Sequence, residues 1–195
     1  MPPATRNPSR RGAKPKIERA ALKLFVDEGV DAATTRQIAN QAGVSEGALY
    51  RHYKGKDELA LALFMETHNR LGEMLSAALT QTGSVEDRVR RAVTSYCGLA
   101  DEDWLLFSFH LVSLNRFLPH DTRREDDPLT RIEAILKAMM SNGDIPDADP
   151  SLVTAMCLGV VMQAGQNKIY NRLPGPFSAH VDAFTRAILA ILFQK

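Results

Sequence analysis

The run "GVSEGALYRHY" at positions 43–53 opens on one glycine, sets a second two residues past its serine, and gathers Tyr50, Arg51, His52 and Tyr53 at its end. It follows "TTRQIANQA" at positions 34–42, where Thr34 and Gln37 stand three apart, the spacing at which a hydroxyl and an amide cap a helix start reciprocally. Ile38, Ala39 and Ala42 then fall on an inward face, and Gly43 supplies the permissive backbone that ends such a helix. Ser45 is placed to cap a second helix, and Glu46 complements the positive end of its dipole. That helix is expected to run to about Tyr53. Two short helices joined by "AGVS", with Val44 filling the angle between them, predict a helix-turn-helix whose second helix projects. Gly47 costs a helix about 1 kcal/mol relative to alanine. It marks either a close approach by another backbone or a tolerated surface glycine.

Before this unit, apolar residues recur at Ile17, Ala20, Ala21, Leu24 and Phe25 until Gly29, predicting a helix that begins near Pro15. Positions 1–14 are rich in Pro, Arg and Ser without periodicity and read as a disordered basic arm. After it, amphipathic patterns predict helices at about 56–81, 84–100, 102–118, 128–141, 150–172 and 177–194. No stretch alternates as a strand would and no repeat is present, so the expected fold is all-α.

The chain has 195 residues, 45% of them hydrophobic, enough to bury a sizeable core. Its longest apolar candidate, "LVTAMCLGVVMQAG", stops at Gln166, Asn167 and Lys168, short of the roughly 18 residues that a bilayer span needs. The basic N-terminus lacks the apolar stretch of a secretory signal. These features predict a soluble cytoplasmic protein with no membrane partner. Cys97 and Cys157 lie in apolar patterns, suiting buried thiols, and without a C-x-x-C no zinc site or other metal or cofactor is expected. The net charge of +1 hides an asymmetry: residues 1–56 hold 11 Lys+Arg against 5 Asp+Glu, a balance of +6, which leaves −5 for the remainder. Either a polyanion-binding module on a separate body or a solvated basic tail gives that pattern.

The run "TTRQIANQAGVSEGALYRHYKGKDEL" closely resembles the DNA-binding segment of TetR-family (tetracycline-repressor-like) transcriptional regulators, through Thr35, Ile38, Ala39, Ala42, Gly43, Val44, Ser45, Gly47, Leu49, Tyr50, His52, Tyr53, Lys56 and Leu59. The resemblance covers the first 60 or so residues; the remainder matches in length and helix succession alone. It implies an arm at 1–14, a helix-turn-helix DNA-binding domain at 15–56 and a helical effector-binding and dimerisation domain at 57–195. It implies a homodimer, not an enzyme, that binds a palindromic operator in double-stranded DNA as a repressor and is released by a small-molecule effector. Thr35, Ser45, Tyr50, His52 and Lys56 stand where the family touches phosphates. Arg36, Gly47, Ala48 and Arg51 lie on or beside the expected DNA face. Arg36 or Arg51 is suited to a bidentate guanine contact and Ala48 to a thymine methyl. The rings of Tyr50 and Tyr53 are expected to pack the second helix on the first helix of the chain. Glu46 departs from a commonly basic or polar position, and its dipole role is favoured over a contact with cytosine. Arg6, Arg10, Arg11 and Lys14 are placed to follow the DNA backbone.

For the body, Phe177, Val181, Phe184, Ile188 and Ile191 form a seam beside Ala183, Ala187 and Ala190, and Gly159 lies among small residues in the preceding helix. These are expected to build a four-helix dimer interface; completion of a monomer core is the rival reading. Trp104, Phe107, His110, Met139 and Met156 are candidates to line a cavity, with Gln163, Gln166, Asn167 and Tyr170 as polar contacts. His110 also fits a hydrogen-bonded core histidine. A ferritin-like helical enzyme would need Glu-x-x-His on two helices, and the sequence has none; another helical enzyme or an interaction module stands as the alternative.

Overall fold

A computed structural model of the protein describes residues 12–118 and 127–194. The expected arm therefore lies outside the described residues except near its end, where Lys14 already belongs to a helix. Among the described residues there are no strands, and the α-helices are α1 (Ala13–Asp27), α2 (Thr35–Ala42), α3 (Glu46–Tyr50), α4 (Lys56–Thr80), α5 (Val85–Glu102), α6 (Trp104–Phe117), α7 (Pro128–Ser141), α8 (Pro150–Ile169) and α9 (Val181–Leu192). A short 3-10 helix, Phe177–His180, precedes α9. The chain divides into two compact units, 1–63 and 64–195, with the boundary inside α4. Among the described residues no helix is long and apolar enough to cross a membrane.

In the first unit α1 packs on α2 and α3, and α2 on α3. Ile17, Ala20, Ala21, Leu24 and Phe25 form the buried stripe of α1, at the three- and four-residue spacing of a helix with one apolar side. Ile38, Ala39, Leu49 and Leu59 are buried with them. Gly29 ends the α1 pattern with φ +85°, a conformation that costs a side chain strain but a glycine none.

In the second unit α5 packs on α6, α9 and the 3-10 helix, α8 on α6, α7 and α9. Its core joins Phe107, Leu111, Leu136, Met139, Val161, Phe177 and Ile188, among others. Two glycines make room for neighbouring helices here. A side chain on Gly72 of α4 would run into the ring of Pro128 of α7, and one on Gly165 of α8 would meet the movable end of Leu111 of α6 at 2.6 Å. Cys97 is fully buried and Cys157 half-buried, both as free thiols. Burial pushes them up to about 12 and about 11, so both stay protonated.

Three helix ends differ from expectation. The segment read as one helix at 177–194 is a 3-10 turn leading into α9, and α8 stops at Ile169, where Tyr170 leaves helical geometry and Asn171 takes φ +56°. The helix expected to reach Tyr53 ends at Tyr50, with Arg51 as its cap. Backbone hydrogen bonds run a little beyond α3 and α8, with Tyr53 donating to Leu49 O and Arg172 to Asn167 O, but the turns there are no longer regular helix.

Candidate nucleic-acid interface and interior cavity

The turn between α2 and α3 is held by local chemistry. Thr34 Oγ1 accepts from the Gln37 N–H at 3.2 Å while Gln37 Oε1 accepts from the Thr34 N–H at 2.9 Å, closing the capping box. Gly43 takes the left-handed conformation at φ +67° and donates to Asn40 O, and Val44 donates to Ala39 O. Ser45 Oγ accepts from the Ala48 N–H at 3.2 Å and so caps α3. Val44 is half-buried in the angle between the helices.

Across that angle Thr35 Oγ1 donates to Glu46 Oε1 at 3.0 Å and lies 3.4 Å from the Tyr50 hydroxyl. The Glu46 carboxylate is thus engaged by the protein at the first turn of α3, where it also complements the helix dipole. Arg36, Ser45, Gly47, Arg51 and His52 are exposed, as is Tyr50 at 54%. They surround the start and end of α3 with hydroxyl, guanidinium and imidazole groups, all able to donate to phosphate oxygens. A side chain built on Gly47 would meet nothing nearer than Ser45 Oγ at 3.9 Å. Nothing in the protein's own packing requires glycine there, so the bare backbone is open to a surface brought from outside.

Several of these residues stand elsewhere than expected. Ala48 is 5% exposed. Its methyl packs into the first unit instead of standing in solvent beside Gly47. The two tyrosines divide rather than share the packing role: Tyr53 is buried and donates to Glu18 Oε1 on α1 at 2.5 Å, while the Tyr50 ring stands in solvent. Lys56 Nζ donates to Asp31 O at 2.6 Å and Ala33 O at 2.9 Å. The ammonium expected at phosphate is spent largely on tying the start of α4 to the loop between α1 and α2. Lys14 sits 3.7 Å from Glu18 on α1.

The second unit holds an open cavity of about 500 Å³ bounded by α4, α5, α6, α7 and α8. Of the residues expected to line it, His110, Gln163 and Gln166 do. The others do not. Phe107 and Met139 are buried core, and Met156 packs half-buried against it. Trp104 stacks on Phe107 with centroids 6.0 Å apart and has Lys168 Nζ above its ring. Asn167 is half-buried away from the cavity, and Tyr170 stands 67% exposed beside Arg172. His68, Tyr96, Asn115 and Met162 complete the polar and adaptable part of the lining. His68 was legible as a polar residue on the apolar stripe Phe64, His68, Leu71, Leu75 of α4. A second, smaller hollow of about 70 Å³ shares Leu75, Tyr96, Ile132 and Leu158 with the first and is lined almost entirely by aliphatic side chains.

The expected dimer seam is also redirected. Phe177, Phe184 and Ile188 are buried in the protein's own core, and Val181 and Ile191 pack half-buried against it. The large side chains of α9 are consumed by α5 and α8, which leaves Ala183, Arg186 and Ala190 exposed. On α8 the exposed stripe is Leu152, Ala155, Gly159 and Gln163.

The family model for bacterial regulatory proteins of the tetR family matches residues 17–63. The chain is 36% identical over 102 residues to the HTH-type transcriptional activator FasR of Mycolicibacterium smegmatis, across 49% of this chain and 47% of FasR. It is 31% identical over 119 residues to the HTH-type transcriptional regulator TtgW of Pseudomonas putida, across 54% of this chain and 88% of TtgW. Against FasR the chain thus spans about half of its relative's length. The fold is similar to that of the regulator FadR from Bacillus subtilis, solved in complex with stearoyl-CoA, with a TM-score of 0.70 at 18% identity over 92% of this chain and 97% of that one. These relatives are regulators of transcription rather than enzymes. From the capped helix-turn-helix to the helical body that follows it in the chain, the protein belongs to the tetR family of bacterial regulatory proteins.

Proposed function

We propose that the protein is a ligand-responsive repressor that binds a palindromic operator as a homodimer and is released by a small molecule held in the 500 Å³ cavity. The observation that carries the reading is the exposed tip of the helix-turn-helix, where Arg36, Gly47, Tyr50, Arg51 and His52 stand clear of the fold around a glycine backbone with open space beside it. In this reading Thr35, Ser45, Tyr50 and His52 meet phosphates. Arg36 or Arg51 reads a guanine edge, which two parallel guanidinium N–H bonds suit. Two-fold symmetry sets the half-sites about one DNA turn apart, roughly 34–36 Å.

The dimer forms through the exposed small residues of α9 and the adjoining edge of α8 at Gly159, which also borders the cavity, rather than through the buried seam. The effector enters between α4 and α8 and meets His110, Gln163 and Gln166. A stearoyl thioester occupies the B. subtilis regulator of similar fold, and the aliphatic hollow behind the cavity here is likewise suited to an apolar chain.

The test is a fluorescence-anisotropy titration of the full chain against DNA from upstream of its own gene, at several salt concentrations. Specific binding should fall steeply with salt, as counterions are released from each neutralised phosphate. Arg51→Ala or Arg36→Ala, whichever residue reads the base, should cost about 1–3 kcal/mol and relax selectivity at one base pair per half-site. Equal, weak binding to every duplex would sink the reading.

A further inference from the structure

We propose that the cavity takes an uncharged molecule through a hydroxyl group, which donates to His110 and accepts from Tyr96, with an apolar body running into the aliphatic hollow behind. The proposal rests on the reading of this cavity as the effector site and specifies the chemistry it selects.

A chain of three side chains fixes the polarity of His110. Asp127 Oδ2 accepts from the N–H groups of Leu129 and Thr130 at 3.0 and 3.1 Å, capping α7. The other oxygen, Oδ1, lies 3.5 Å from His68 Nε2. That contact is too poorly aligned for a hydrogen bond, but a lone pair facing a carboxylate is repelled and an N–H is attracted, so a single ring proton on His68 belongs on Nε2. His68 Nδ1 is then an acceptor. It lies 3.3 Å from His110 Nε2, which in that tautomer is the donor. A neutral imidazole has one proton, so His110 Nδ1 presents a lone pair. That atom is buried and has no hydrogen-bond partner among the described residues.

Tyr96 is a second, independent observation. Its hydroxyl is buried without a partner, on a residue that lines both the open cavity and the hollow. Burial holds the phenol above its ordinary value, so it stays an O–H. Burial also pushes His110 down to about 3, with a further contribution from His68, so its free nitrogen stays a bare acceptor. Polar atoms buried without partners are costly to the fold. An alcohol or phenol oxygen both donates and accepts, and so answers the two atoms together.

Charge excludes the obvious rivals. Among the described residues no Lys, Arg, Asp or Glu lines the cavity, and the negative charge nearest to His110 along the relay is Asp127. A carboxylate or phosphate would enter without a counter-ion and face a lone pair. The hollow behind offers one hydroxyl besides that of Tyr96, on Thr154, and it already donates to Pro150 O at 2.7 Å. It therefore takes hydrocarbon.

The test uses the full chain and three probes of one shape: 2-naphthol, 2-methoxynaphthalene and 2-naphthoate, titrated calorimetrically. The alcohol should bind about tenfold more tightly than the ether, the weight of one hydrogen bond, and more tightly than the carboxylate. His110→Phe should bring the naphthol down to the level of the ether and leave the ether unchanged. Tyr96→Phe should weaken both, since both offer an acceptor. A merely structural role for His110 would weaken all probes alike. Equal binding of alcohol and ether, an unchanged preference in His110→Phe, tightest binding of the carboxylate, or no binding by any probe would each overturn the proposal. Operator binding, measured on the same samples without probe, separates the two readings. Retained selective DNA binding with no preference for the alcohol sinks the ligand class alone, whereas a preference without selective DNA binding sinks the regulator.

Discussion

Burial, with a contribution from neighbouring His68, lowers the His110 imidazole from its ordinary 6.5 to about 3. Between those values an unfolded chain takes up a proton that the native chain refuses. The unfolded state then binds one proton more, so stability falls with falling pH at about 1.4 kcal/mol per unit for this group. Among the described residues the groups facing it are His68, Phe64 and Phe107, with Asp127 behind His68, and no carboxylate of these touches His110 directly to offset the cost. Phenylalanine keeps the stack on Phe64, whose ring centre is 4.9 Å away, and removes the titration. His110→Phe should therefore gain on the parent by about 2 kcal/mol between pH 7 and pH 5, read from urea unfolding at the two values. Parallel losses in both proteins would show that His110 is protonated in the native state and that the relay is mis-assigned.

Asp101, near the end of α5, shows how one helix positions another that is distant in sequence. Its two oxygens accept from the N–H groups of Phe177 at 2.6 Å and Ser178 at 2.9 Å, satisfying the first turn of the 3-10 helix that leads into α9. Burial works to raise this carboxyl, but the hydrogen bonds from Ser178 and Phe177, with the charge of Lys168, outweigh it and leave the group below 3.8. The stabilisation is then complete above that value and lost as pH falls through the depressed one. Asp101→Ala should cost about 1 kcal/mol, as loss of a helix cap does, with Asp101→Asn milder, measured by chemical unfolding at neutral pH. No change in either would mean that solvent satisfies those N–H groups equally well. This contact was invisible in the sequence because 76 residues separate its ends. What could be read beforehand was local: the Thr34–Gln37 box, the Gly43 turn, the Ser45 cap and α7 over 128–141 all depend on residues within one or two turns. Phase was harder. Five residues of α3 make little more than one turn, so the sequence did not determine that Ala48 faces inward and Tyr50 outward. The seam of α9 was read correctly as apolar. Periodicity identifies an apolar face without saying whether α5 or a second copy covers it.

With that seam spent inside the subunit, the proposed homodimer would use what α8 and α9 leave in solvent. The remaining surface is unusual in having small residues, Ala155 and Gly159 on α8 and Ala183 and Ala190 on α9, on two helices that pack against each other. Small side chains let backbones approach closely, and a pair of helices meeting its own copy makes an isologous four-helix contact, the commonest route to a two-fold dimer. Such symmetry would give a palindromic site its affinity, since the second half-site is engaged at a high effective concentration, worth roughly 10²–10⁴ in binding. Ala190→Arg separates this arrangement from its rivals. Alanine and arginine differ little as helix formers, and position 190 is exposed, so the isolated subunit should lose under about 0.5 kcal/mol. A dimer built on this face would instead bury two new guanidinium groups without partners, at several kcal/mol. Sedimentation should then show monomers at micromolar concentration, and operator affinity should drop by about 10²-fold or more while the far-UV spectrum stays that of the parent. A dimer that survives the substitution with its operator affinity intact would place the two-fold contact on some other surface of the second unit.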